Sequence, residues 1–409
     1  MSRVIPAAIC TSVLLLLLPE LQAAALVRTS KATPSKASAA KLKSGATPTR
    51  SAAAKSKKRS AGVSRGTPAG KPQAASARQA TRHPAKRRSY SPWTVPTFAP
   101  STEGDVVDGE DLVVRQAAVE ALGPYNGTVV AVDPSSGRIL TMVNQKLALT
   151  SGFQPCSTVK IFVALAALSE GLIAQNTVMR ISGRMRLDLT EALAHSNNPY
   201  FAALGVKLGF ERFAYYGRLF GLGERAGLDL EAESPGVFPD TPPKGGMGMM
   251  ASFGEGISQT PLQLAAFLAA VANGGTLYYL QYPRSAQEVF DLVPRVKRQL
   301  DIGRWIPAIK PGLMGAVEYG TARRAFYAPE APICGKTGTC TDKTTHLGWF
   351  GSYSDFGTSR LVVVVLMTGG RGVSGPTAAE IAGAMYRRLF EQNYFAQRRL
   401  FSPALIVPR

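Results

Sequence analysis

Hydrophobic positions fall into three blocks along the chain. Gly127-Thr128-Val129-Val130-Ala131-Val132 is a β-branched run, and Pro134-Ser135-Ser136-Gly137 is a turn. Arg138-Ile139-Leu140-Thr141-Met142-Val143 returns, which predicts a hairpin. From Ser157 to Glu170 the apolar residues Val159, Phe162, Val163, Ala166 and Ala167 recur at three and four, the period of a helix. Further helices are predicted over 190–195, 199–208, 211–220, 260–273 and 310–320. Strands follow over 332–340, 345–353 and 360–367, the last carrying an unbroken apolar run from Leu361 to Leu366. A helix over 376–391 closes the pattern. Two strands, a long helical middle, three strands and a final helix imply an α+β fold: one antiparallel β-sheet covered by helices, with a helical subdomain. No internal repeat is visible.

Charge separates this body from what precedes it. Of 409 residues, 47 are Lys or Arg and 27 are Asp or Glu, a net charge of +20. Residues 26–95 hold 17 of the basic side chains and no acid, whereas 96–409 hold 29 basic and 26 acidic. The basic character belongs to a tail, so a basic nucleic-acid-binding fold is excluded and no nucleic-acid partner is expected. Residues 1–25 read as a secretory signal: Arg3, an apolar run from Val4 to Leu18, and an Ala-x-Ala exit. Fifteen apolar residues fall short of the ~20 that span a bilayer, although an uncleaved anchor is the alternative. Either way the body is expected to be exported to the periplasm or cell envelope. Residues 26–104 have little to bury and are expected to form a disordered basic linker, either a tether to anionic envelope polymers or a membrane surface, or a solvated spacer. The body is assigned to 105–392 and a C-terminal tail to 393–409.

Three short motifs lie in the body. Ser157-Thr158-Val159-Lys160 places a hydroxyl and an amine three apart on one helix face, where the amine can serve as base for an otherwise poor nucleophile. Ser38-Ala39-Ala40-Lys41 in the tail has the same spacing and is read as nothing. Ser196-Asn197-Asn198 offers a proton relay at Ser196 and an amide at Asn198; read alone, it suits a helix cap ahead of Pro199. Lys336-Thr337-Gly338-Thr339 on a strand offers a charge for a carboxylate and, at Gly338, close backbone approach. The Thr339 N–H can pair with the Ser157 N–H around an oxyanion. Each triplet alone is weak. Their order, each on its expected element, is the pattern of penicillin-recognising serine enzymes.

The body resembles the transpeptidase domain of class B penicillin-binding proteins. The resemblance extends to Thr190-Glu191-Ala192-Leu193-Ala194-His195-Ser196-Asn197-Asn198-Pro199-Tyr200-Phe201 and to Phe220-Gly221-Leu222-Gly223-Glu224-Arg225-Ala226-Gly227 with Glu233-Ser234-Pro235-Gly236. It also covers Gly254-Glu255-Gly256-Ile257-Ser258-Gln259-Thr260-Pro261-Leu262-Gln263-Leu264 and Val317-Glu318-Tyr319-Gly320-Thr321-Ala322. It implies a β-lactamase/transpeptidase-like fold, peptidoglycan stem peptides as substrate and acylation by β-lactam antibiotics, with no cofactor and no metal. Carried over, it makes Ser157 the nucleophile, Lys160 its base and Ser196 the relay. Asn198 becomes a substrate-amide contact, Lys336 and Thr337 carboxylate-binding groups, and Gly338 and Thr339 the lining strand edge. For Lys160 to act as a base, burial and the charge of Lys336 are expected to lower its pKa. Two departures stand out: the N-terminal pedestal of larger members is not seen, and Cys156 stands where a small residue, usually Gly, is expected.

Cys156, Cys334 and Cys340 show no metal-site spacing. Cys334 and Cys340 would lie about 20 Å apart along a straight strand, too far to bond. A disulfide from Cys156 to either one is open, as are three free packing residues. His195 and His346 are read as structural. The rival functions are a serine β-lactamase or D,D-carboxypeptidase and a non-catalytic penicillin-binding sensor or wall-binding domain.

Overall fold

The computed structural model of the protein describes residues 93–355 and 360–400. The leader at 1–25, the Ser38–Lys41 match and most of the basic linker lie outside the described residues, as does the end of the C-terminal tail. Among the described residues, contacts with the body are made from Trp93 onward, ahead of the boundary at 105 read from composition: Trp93 stacks on His346 and the Asn126 N–H donates to the Thr97 carbonyl.

Helix α1 (Leu112–Leu122) leads into strands β1 (Gly127–Val132) and β2 (Ile139–Val143). A short helix α2 (Gln145–Thr150) and a 3-10 turn at Cys156–Thr158 precede α3 (Val159–Ser169). A small hairpin, β3 (Met179–Ser182) and β4 (Met185–Leu187), gives way to α4 (Leu189–Ala194), α5 (Asn198–Leu219), α6 (Gly246–Phe253) and α7 (Pro261–Asn273). Strands β5 (Thr276–Tyr278) and β6 (Val296–Gln299) flank α8 (Ala286–Phe290), and α9 (Ile306–Glu318) follows. Strands β7 (Ile333–Asp342), β8 (Thr345–Ser354) and β9 (Val362–Gly369) then run into α10 (Gly375–Glu391) and α11 (Tyr394–Leu400).

The main sheet has the order β2-β1-β9-β8-β7, antiparallel at every pairing, with β7 on an edge. Its unbroken apolar strand has a simple cause. On β9, Val362, Val364 and Leu366 pack into one core with α3 and α7, while Val363, Val365 and Met367 pack into a second with α1 and α10. A strand covered on both faces has no polar side to alternate with. The central helix α3 obeys the same rule: every residue from Val159 to Leu168 is buried, including Lys160. Among the described residues no helix is long and apolar enough to cross a membrane.

Two expected elements differ in detail. Ser157 sits on the 3-10 turn that feeds α3 rather than on the α-helix itself. The helices expected at 199–208 and 211–220 form one element, α5, interrupted at Gly209, whose φ of 71° and ψ of 167° are non-helical and suit a residue without a Cβ.

Candidate active site

Three segments converge between α3, the α4–α5 loop and β7. The turn before α3 is set from the sheet: Trp349 Nε1 on β8 donates to the Gln154 carbonyl at 2.9 Å. Pro155 follows, and Cys156 adopts a left-handed φ of 51°. That conformation favours glycine, which gives the physical reason for the small residue expected there. In this chain a disulfide from Cys156 to Cys340 on β7 ties the turn to the strand, with Cα atoms 5.6 Å apart. Gly338 completes the junction, since a Cβ on it would lie 3.0 Å from the Pro155 carbonyl oxygen and 3.2 Å from Cys156 Cβ. Of the two pairings left open, Cys156–Cys340 forms; Cys334 stays free and buried, its thiol pushed up to about 12 mainly by desolvation.

The Ser196–Asn198 segment divides its labour in a way the triplet alone did not reveal. Asn197, the middle residue, caps α5 by accepting from the Tyr200 N–H. Ser196 takes a left-handed φ of 54°. The two flanking residues are thereby turned toward Lys160 instead of capping the helix.

Lys160 Nζ has four oxygen neighbours: Ser157 Oγ at 3.1 Å, the Ser196 carbonyl at 2.8 Å, Ser196 Oγ at 3.0 Å and Asn198 Oδ1 at 2.5 Å. Phe201 places its ring 5.6 Å below the same nitrogen. Burial lowers the Lys160 pKa to about 7. A neutral amine carries two protons and one lone pair. The carbonyl of Ser196 and Oδ1 of Asn198 can only accept, so they take both protons. The lone pair is left for a hydroxyl, and only Ser157 and Ser196 offer one.

Lys336 is fully buried on β7, and its Nζ donates to the Thr337 carbonyl at 3.1 Å. Burial first, and then the charge of Lys160, push its pKa well below the ordinary lysine value. Desolvation leads at both lysines, and the repulsion between their charges adds to it at Lys336; of the two causes expected for Lys160, burial is the one observed. On the other side of β7, Thr337 Oγ1 meets Thr321 Oγ1 at 2.6 Å, and Thr339 Oγ1 accepts from the Gly375 N–H at the start of α10 at 2.7 Å. Thr339 is exposed at the strand edge.

All eight residues singled out in the sequence therefore lie on these three converging segments. Sequence reasoning gave no role to Asn197, Trp349, Phe201 or Thr321. His195, half exposed, faces Glu191 at 3.3 Å, and His346 pairs with Thr341. Among the described residues no cluster of His, Cys, Asp or Glu could hold a metal ion.

Residues 127–387 match the family model for the penicillin binding protein transpeptidase domain. The chain belongs to this family. Among its relatives, stage V sporulation protein D of Bacillus subtilis is 28% identical over 312 residues, covering 65% of this chain and 48% of that protein. The peptidoglycan D,D-transpeptidase MrdA of Haemophilus influenzae is 23% identical over 356 residues, 66% of this chain and 54% of that protein. The chain spans about half the length of these curated relatives. The crystal structure of Pseudomonas aeruginosa PBP2 in complex with WCK 5153 shares the fold, with a TM-score of 0.59 at 23% identity over 68% of this chain and 74% of that one. Membership in the penicillin-binding family agrees with the α+β architecture and the resemblance read from the motifs.

Proposed function

We propose that this chain is a peptidoglycan D,D-transpeptidase that cross-links stem peptides through a serine acyl-enzyme and is acylated by β-lactams. One observation carries the reading: Lys160 Nζ, with both protons committed to pure acceptors, lies 3.1 Å from Ser157 Oγ, and both residues are buried. Ser157 Oγ attacks the carbonyl between the two terminal D-Ala residues while Lys160 takes its proton. The oxyanion is held by the backbone N–H groups of Ser157 and Thr339. The C–N bond breaks, the proton passes from Lys160 through Ser196 to the leaving D-Ala amine, and an ester remains on Ser157. An acceptor amine then attacks the ester, losing a proton to the same relay, and the peptide cross-link forms as Ser157 is released. Asn198 contacts the donor backbone, and Lys336, Thr337 and Thr339 receive its terminal carboxylate, whose charge favours the ammonium form of Lys336 on binding.

The same acyl-enzyme would serve a carboxypeptidase if water replaced the amine, and a β-lactamase if water cleared the penicilloyl ester quickly. Intact-protein mass spectrometry after penicillin exposure separates these. The transpeptidase reading expects a persistent adduct on the wild type and none on Ser157→Ala, together with dimer formation from stem peptides. Rapid loss of the adduct with penicillin turnover would make it a β-lactamase, and no adduct would leave a wall-binding or sensing domain. We infer that the reaction runs in the cell envelope, with the basic segment as a tether to anionic polymers or lipid headgroups there, a reading supported by the family and by the signal-like residues 1–25.

A further inference from the structure

Thr321 belongs to none of the three motifs, yet it touches one of them and the residue that leads into another. Its N–H donates to the Ala194 carbonyl at 3.1 Å, two residues before Ser196, and its hydroxyl lies 2.6 Å from that of Thr337. The approach is fixed from below. A Cβ on Gly320 would fall 2.2 Å from the same Ala194 oxygen, and the Ala322 N–H donates to the Ala316 carbonyl at 2.7 Å, pinning the segment to α9. The loop 319–322 thus bridges the Ser196 turn and β7.

The proton count across this bridge has a consequence for the ligand side. Two hydroxyls in contact share one hydrogen bond, so one donates and the other accepts. A carboxylate accepts only. For Thr337 to donate to it, Thr337 must be the acceptor in its contact with Thr321. Thr339 is already arranged this way, because its oxygen accepts from the Gly375 N–H and its own proton points elsewhere. The Thr321 hydroxyl does for buried Thr337 what a helix N–H does for exposed Thr339.

We infer that Thr321 is a positioning residue for carboxylate recognition: by donating to Thr337 Oγ1 it commits the Thr337 proton to the terminal carboxylate of the stem peptide or β-lactam. This rests on the transpeptidase reading, in which Thr337 receives that carboxylate. Because Thr321 acts through Thr337, its removal affects ligands that carry the carboxylate and spares those that do not.

The test compares acylation of the full chain by penicillin G and by its methyl ester, in wild type, Thr321→Val, Thr321→Ser, Thr337→Val and the Thr321→Val/Thr337→Val pair. The expected result is a roughly ten-fold loss for the free acid in Thr321→Val, the size of one hydrogen bond to a charged group. Little change is expected for the ester, with recovery in Thr321→Ser and no further loss in the pair over Thr337→Val alone. An equal loss on both probes, an additive loss in the pair, or no loss on the acid overturns the inference. If Thr321→Val does not fold, Thr321→Ala removes the same hydroxyl and is read the same way. Wild type unreactive toward both probes overturns the transpeptidase reading instead.

Discussion

Lys160 Nζ stands 3.1 Å from Ser157 Oγ, and two of its three other close partners, the Ser196 carbonyl and Asn198 Oδ1, are unable to donate a proton, which leaves its lone pair to the hydroxyls of Ser157 and Ser196. Only the neutral amine has a lone pair to take the serine proton. With a pKa lowered to about 7 by burial, the neutral fraction grows as pH rises through that value. The rate of acylation by penicillin is therefore expected to climb from pH 6 and level off above about 8. Lys160→Met should lower it by about two to four orders of magnitude, the usual reach of a positioned base. Stopped-flow acylation across pH 5.5–9 measures both, and a rate independent of pH would remove Lys160 from the role.

Asn198 offers a sharper probe of the same amine. Its Oδ1 lies 2.5 Å from Lys160 Nζ and is neutral. Asn198→Asp keeps the shape and places a full negative charge there, which stabilises the ammonium and raises its pKa, by about 1–3 units for a charge at this range. The acylation profile of Asn198→Asp should keep its form and move to higher pH. A profile that falls in height without moving would mean that Asn198 acts on the ligand alone.

Much of this site was legible in the sequence, and the reasons differ by segment. The Ser157–Lys160 spacing follows from helical geometry, and the two-sided burial of β9 follows from its apolar run. Helix α1 was missed although Val114, Ala117, Ala118 and Leu122 carry the period in full. Helix α6 was hidden because Gly246 and Gly248 are poor helix formers and tertiary packing against α5 overrides them. The roles within Ser196-Asn197-Asn198 depend on a left-handed φ at Ser196, which no spacing reveals. The disulfide partner was undecidable because Cys334 and Cys340 share a face of β7; only its position along the strand, next to Gly338 and the Cys156 turn, selects Cys340.

Lys336 is held at a cost to the fold. It is fully buried, and both desolvation and the charge of Lys160 disfavour its ammonium. An apolar side chain of similar length removes that penalty, so Lys336→Met should unfold at higher temperature, by about 1–3 kcal/mol in stability, while losing carboxylate recognition. The pH dependence has a fixed sign. A lysine whose folded pKa lies below its unfolded value binds more protons when unfolded, so stability rises with pH from the folded pKa up to the ordinary 10.5. Melting temperatures between pH 6 and 9 should rise less steeply in Lys336→Met than in the wild type. A destabilised variant would show instead that Lys336 is charged and well compensated in the unliganded protein.

The Cys156–Cys340 bond closes a loop of 184 residues and fixes a residue in the left-handed region next to the nucleophile. These are two separable contributions. Losing the cross-link frees the unfolded chain and should cost about 2–5 kcal/mol whatever replaces the sulfurs. The φ of 51° at position 156 adds about 1–2 kcal/mol for a residue with a Cβ and nearly nothing for glycine. Cys156→Gly/Cys340→Ala should therefore unfold at a higher urea concentration than Cys156→Ala/Cys340→Ala, and should retain more acylation because the turn carrying Ser157 keeps its shape. Both should melt below the oxidised wild type. If the two variants unfold at the same midpoint, the turn relaxes out of its left-handed conformation once the bond is gone, and the disulfide rather than the local sequence sets the geometry of the nucleophile.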